Sequence, residues 1–119
     1  MLVEEMRDYV NQIIEIHGIG HILSTKEIKH YFKVNRGMNP GSIIPSDYCY
    51  NRTNNGISLE NPKFFEYIGH GKYRCLGELY KYTGKIFHKP KGSSCEIVVG
   101  EWVNGEVYYN PDYQNNKSK

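Results

Sequence analysis

The sequence predicts an α+β fold of the winged helix-turn-helix type, with three N-terminal helices followed by two β-hairpins. Apolar residues recur every three or four positions up to about residue 34, and the period changes to two after Pro62. Asn104-Gly105, between two apolar runs, is typical of a tight hairpin turn. A length of 119 residues fits one domain, which we assign to 1–109, and 110–119 is predicted to be a flexible tail.

The first helix is predicted over residues 2–17, and Gly18 is placed to end it. The apolar positions that predict its buried stripe are Leu2, Met6, Val10, Ile13, Ile14 and His17.

A second helix is predicted from Thr25 to about Val34, after a single β-rung at His21–Leu23. Ser24 and Glu27 have the spacing of a capping box, which marks its start. Four cations fall three, four and three residues apart along it and form a basic stripe: Lys26, Lys29, Lys33 and Arg36.

A third helix is predicted from Ser42 to Arg52, ending in the asparagines and glycine of 54–56. Pro45 falls in its first turn, where a proline is tolerated because those amides need no acceptor within the helix. The inward residues are predicted to be Ile44, Tyr48 and Cys49. The outward residues are Ser46, Asp47, Tyr50, Asn51 and Arg52.

Two hairpins follow. The first is predicted as Phe64–Ile68, a turn at 69–71 and Lys72–Leu76, with Lys72 and Arg74 on one face and Tyr73 and Cys75 on the other. Residues 80–94 are predicted to be a basic connection. The second hairpin turns at Asn104-Gly105, and its residues Trp102, Tyr108 and Tyr109 either cap the core or form a homodimer surface.

Charge is unevenly distributed. Residues 41–92 carry eight Lys/Arg against four Asp/Glu, while the whole chain has a net charge of +2. A basic middle favours a localised anionic partner. No apolar run is long enough for a transmembrane helix, and the acidic N-terminal segment is unlike a signal peptide. Three separated cysteines indicate free thiols and a cytoplasmic protein.

These features predict a protein that binds duplex DNA. The side chains expected to contact bases in the major groove are Ser46, Tyr50, Asn51 and Arg52. The side chains expected to contact phosphates from the second helix and the hairpin wing are Lys26, Lys29, Lys33, Arg36, His70, Lys72 and Arg74.

Metal and catalytic chemistry have little support. His17 and His21 are four residues apart, but the intervening glycines break any helix that would place both on one face. No Cys-x-x-Cys pair, glycine-framed serine or phosphate-binding loop occurs, so we expect no metal, no cofactor and no enzymatic activity. A small nuclease with an unrecognised site is the least favoured alternative.

The stretches "SIIPSDYCYNRTNNGI", "FFEYIGHGKYRCLGE" and "VVGEWVNGE" resemble small bacterial and phage winged-helix-like domains of uncharacterised function, over roughly residues 20–105. Such domains stand alone or are attached to restriction-type nucleases. The resemblance implies DNA binding near defence or mobile-element systems, with Ser46, Asn51 and Arg52 on the third helix. It also implies a wing at Gly69, Gly71 and Lys72, where His70 departs from the expected cation. A histidine is mostly neutral at pH 7 and would weaken a phosphate contact.

A protein-interaction module is the alternative from another class. Eleven of the sixteen aromatic residues are tyrosines, and the net charge is low, which suits a phage-type protein that inhibits a host defence or nucleic-acid enzyme by docking on it, as anti-CRISPR proteins do.

Overall fold

The computed structural model describes residues 2–53, 61–90, 92 and 94–110. It confirms the α+β class, while a winged-helix topology is not confirmed. The elements in chain order are α1 Leu2–His17, β1 His21–Ser24, α2 Thr25–Arg36, 3₁₀ helices at Pro40–Ser42 and Pro45–Tyr48, β2 Phe65–Gly69, β3 Lys72–Cys75, β4 Gly84–His88, β5 Ile97–Val103 and β6 Glu106–Tyr109. None of the described helices is both long and apolar enough to cross a membrane.

Both α-helices begin and end close to where the sequence predicts. Ser24 Oγ accepts from the Glu27 amide and Glu27 Oε1 accepts from the Ser24 amide, each at 3.1 Å, so the predicted capping box is present. Helix α2 runs two residues past the predicted end, to Arg36, and Gly37, with a positive φ of 63°, caps it. In α1 the predicted stripe is right except at its end, since His17 is exposed and Tyr9 is buried instead.

The first sheet has the antiparallel order β1-β3-β2. Its hairpin is confirmed, and Tyr73 and Cys75 face the core while Lys72 faces solvent. The turn is tighter than predicted: His70 and Gly71, both at positive φ, connect the strands alone. Thr25 holds this turn against the start of α2, because its amide and its hydroxyl both donate to the Gly71 carbonyl.

The predicted third α-helix is wrong. Residues 45–48 form one short 3₁₀ turn, and from Cys49 (φ −97°, ψ 143°) the backbone is extended. The buried side is also different, since Ile44 is 43% exposed and Ile43 is buried. The predicted end at 54–56 lies outside the described residues.

Burial explains why an extended segment replaces the helix. Three consecutive side chains, Tyr48, Cys49 and Tyr50, are buried, whereas a helix on a core surface buries only one stripe. An extended chain sends successive side chains to opposite sides. Cys49 accordingly lies in the large core with Tyr48, and Tyr50 lies in a second, smaller core.

The segment 49–53 joins the two sheets, and we call it the bridging segment. At one end Cys49 pairs in parallel with Phe65 of β2, and the Tyr50 amide donates to the Phe65 carbonyl at 2.8 Å. At the other end Arg52 pairs in parallel with Phe87 of β4: the Phe87 amide donates to the Asn51 carbonyl, and the Thr53 amide donates to the Phe87 carbonyl. The two sheets are thereby hydrogen-bonded to one short stretch of chain.

The second sheet has the antiparallel order β4-β5-β6. Its Asn104-Gly105 turn is confirmed, with positive φ at both residues. Strand β4 lies within residues 80–94, which the sequence predicts to be a basic connection, so that prediction is wrong for this part. Trp102 packs on the smaller core of Tyr50, Leu76 and Tyr82, which confirms its capping role, while Tyr108 is exposed. The predicted tail falls almost entirely outside the described residues.

Candidate nucleic-acid interface

Tyr50, predicted to contact bases, is buried and does not face outward. Its hydroxyl donates to the carbonyls of Gly77 and Glu78, and its own carbonyl accepts from Trp102 Nε1 at 2.8 Å. Burial raises the pKa of Tyr50 to about 12, so the hydroxyl stays a donor at neutral pH. The side chain anchors the smaller core.

The side-chain amide of Asn51 is hydrogen-bonded to the protein backbone. Its Oδ1 accepts from the Tyr67 amide and its Nδ2 donates to the Tyr67 carbonyl, both at 2.8 Å. These are the two bonds that a neighbouring strand residue would make. The bidentate capacity that predicted adenine recognition therefore serves to extend the edge of β2.

Arg52 and Ser46 are also engaged within the protein. The Arg52 guanidinium lies 3.0 Å from a Glu96 carboxylate oxygen, with its carbon 4.8 Å from the centre of the Tyr67 ring. The Ser46 hydroxyl bonds the Tyr73 hydroxyl. Since no third α-helix forms, the four predicted base-contacting residues do not share an exposed helix face.

The basic stripe on α2 is present and open to solvent. Lys26, Lys33 and Arg36 are exposed, and Lys29 is half-buried with its Nζ donating to the Pro40 carbonyl at 3.2 Å. Within the described ranges, no carboxylate lies within ion-pair distance of these four cations. The helix thus presents a row of cations whose charge is not neutralised by described neighbours.

The β2–β3 hairpin adds one cation to this row. Lys72 is exposed and pairs in register with Ser24, the residue that caps α2. His70 is exposed in the turn beside it, and the Thr25–Gly71 bonds hold that turn against the same end of the helix. We call Lys26, Lys29, Lys33, Arg36 and Lys72 the basic surface.

Four of the other described cations are paired or withdrawn from the solvent: Arg7, Arg52, Lys63 and Arg74. Arg74, predicted to bind phosphate, forms an ion pair with Glu66 at 3.3 Å. Arg7 donates to both oxygens of Glu78. Lys63 is buried, and desolvation lowers its pKa, so its ammonium group is not available at the surface for a ligand. Sequence spacing could not identify these pairings, because their members lie on different elements.

The histidine geometry differs from the prediction. The rings of His17 and His21 stack with centroids 4.1 Å apart, because the Gly18–Gly20 turn folds β1 back beside the end of α1. Among the residues that the structure describes, no three His, Cys, Asp or Glu side chains form a group suited to a metal ion.

An apolar groove of about 440 Å³ lies on another part of the surface, where the end of α1 meets the loop between β3 and β4. Its lining includes Ile14, Ile19, Leu76, Leu79 and Tyr80. The sequence did not indicate it, since Ile19 and the loop are 60 residues apart in the chain.

Comparison with known proteins identifies the family. Residues 3–109 match the model of a domain of unknown function, DUF7225. The chain belongs to this family. It is 52% identical over 87 residues to the uncharacterised protein YnaC of Bacillus subtilis. The match covers 73% of this chain but 33% of YnaC, so the chain spans about a third of the length of that relative. No solved structure matches the chain significantly. The resemblance to bacterial domains of uncharacterised function is thereby confirmed.

Proposed function

We propose that this domain binds duplex DNA through the phosphate backbone, using the basic surface of α2 and the β2–β3 hairpin. The observation that carries the proposal is the row of solvent-facing cations without described carboxylate partners, on a chain whose Arg7, Arg52 and Arg74 are all paired. Concentrated positive charge on one element is the electrostatic footprint of a phosphate ligand.

The dimensions of the basic surface suit this ligand. Lys26 and Arg36 are ten residues apart, about 15 Å along the helix axis. Successive phosphates of one DNA strand advance about 3.4 Å along the duplex axis, so a row of this length can contact more than one phosphate. Lys72 extends the row beyond the start of the helix.

Binding of this kind positions the protein without recognising a base sequence. Asn51 and Arg52 already bond within the protein, which supports a sequence-independent mode over insertion of residues 42–52 into the major groove. The elements follow one another in the order helix, strand, helix and hairpin, and this order supports a structural relationship to winged-helix modules. The greater length of YnaC supports attachment to other domains in some family members. A role beside restriction or phage-defence systems belongs to the same proposal.

A salt series tests the charge-driven mode. The logarithm of the association constant for duplex DNA should fall linearly with the logarithm of salt concentration, at about −0.9 per phosphate contact, or about −3 to −5 in total. Fluorescence anisotropy with a labelled duplex measures this slope. A flat slope, or no binding at low salt, contradicts the proposal and favours the protein-interaction alternative.

Matched charge removals locate the site. Replacing Lys26 and Lys33 with alanine should reduce the salt slope by about two and weaken binding to every sequence alike. The control replaces Lys85 and Lys89, which are also exposed and carry the same charge but lie on β4 and just after it. Equal losses from the two double variants would indicate nonspecific attraction to net charge.

A further inference from the structure

The groove beside α1 combines a concave surface with a protruding side chain, and these are the two complementary parts of a protein interface. Leu79 stands at its edge with 94% of its surface exposed, and Ile19 across it is 61% exposed. Exposed apolar side chains at a concave apolar surface are typical of a protein contact. A protruding leucine and a groove of about 440 Å³ therefore lie on one face.

The groove also carries one acidic and one basic side chain, whose charges are complementary. Glu78 and Lys81 both line it. Both Glu78 oxygens accept from Arg7, yet 38% of the side chain remains exposed, and a carboxylate oxygen has a second lone pair for another donor. Lys81 is exposed, with no carboxylate of the described chain within ion-pair distance. The two residues flank Leu79 and Tyr80.

We infer that this groove is the interface of a symmetric homodimer. In a two-fold contact each patch meets a copy of itself, so Leu79 of one protomer enters the groove of the other and the reverse contact repeats it. The same operation sets Glu78 of each protomer against Lys81 of its partner. A self-complementary surface requires a protruding side chain, a groove that receives it and opposite charges on one patch. This face has all three.

The first test is the oligomeric state of the full chain, measured by sedimentation velocity over a concentration series. Leu79→Ser should shift the protein to monomer. Exposing one buried leucine weakens association roughly tenfold, and the two-fold axis doubles the loss to roughly a hundredfold. Val103→Ser on β5 is the control, since Val103 is also exposed and apolar. Leu79 contributes almost nothing to the core, so Leu79→Ser should leave the protein folded. A shift to monomer would then reflect weaker association alone.

The second test uses charge reversal. Lys81→Glu alone opposes two glutamates and Glu78→Lys alone opposes two lysines, so each variant should be monomeric. A mixture of the two should dimerise, because both opposite-charge pairs are restored in the heterodimer. Circular dichroism checks that each variant is folded. A wild-type monomer at the highest soluble concentration overturns the inference, as does a dimer unaffected by Leu79→Ser or a mixture that stays monomeric. None of these outcomes depends on DNA binding.

Discussion

Three polar side chains of the bridging segment have partners within the protein: Tyr50, Asn51 and Arg52. Asn51 shows this most clearly. An asparagine beside a strand edge can replace a missing strand residue because its amide carries donor and acceptor groups in nearly the geometry of a peptide group. In this protein both bond the backbone of Tyr67.

Asn51→Ala should therefore destabilise the fold by about 1–3 kcal/mol, since the Tyr67 amide and carbonyl lose their partners in a half-buried position. DNA affinity measured on folded protein should stay unchanged. Chemical denaturation gives the stability, with Asn35→Ala in the exposed part of α2 as the control. A variant of wild-type stability with altered sequence preference would restore the base-contact hypothesis.

At the scale of elements, local sequence signals determine where α2 begins and ends and where both hairpins turn. The capping box begins α2 and Gly37 ends it. The bridging segment has no such local signal, because its conformation depends on β2 and β4, which follow it in the chain.

Ser24→Ala should cost about 1 kcal/mol, because the Glu27 amide loses its acceptor at the start of α2. Ser24→Thr keeps a hydroxyl acceptor and should retain most of the stability. Thermal unfolding followed by circular dichroism compares the two. If threonine is as damaging as alanine, loss of the hydroxyl cap does not explain the destabilisation.

At the scale of the whole molecule, the two cores are joined by one extended segment. Cys49 belongs to the large core and Tyr50 to the small one, and backbone bonds hold the segment to both sheets. Separate apolar clusters tied by buried hydrogen bonds should unfold together.

The two cores can be followed independently during unfolding. Trp102 is the only tryptophan and lies on the small core, while both α-helices lie on the large one. Denaturation curves from tryptophan fluorescence and from far-UV circular dichroism should coincide. An earlier fluorescence transition would show that the second sheet unfolds as a separate unit.

The sequence by itself determined the parts of this protein whose signals are local. Periodicity gave α1 and α2, and a serine and a glutamate three residues apart gave the cap. Asn-Gly and alternating residues gave the hairpins, and the basic stripe followed from helical spacing. Tertiary structure decided the rest. Residues 49–53 are extended because their adjacent side chains are buried in two cores on opposite sides of the segment. Strand β4 forms because it is hydrogen-bonded to β5 and to the bridging segment. Ion pairing of Arg52 and Arg74 and the groove at Leu79 depend on residues that meet only after folding, which spacing along the chain cannot reveal.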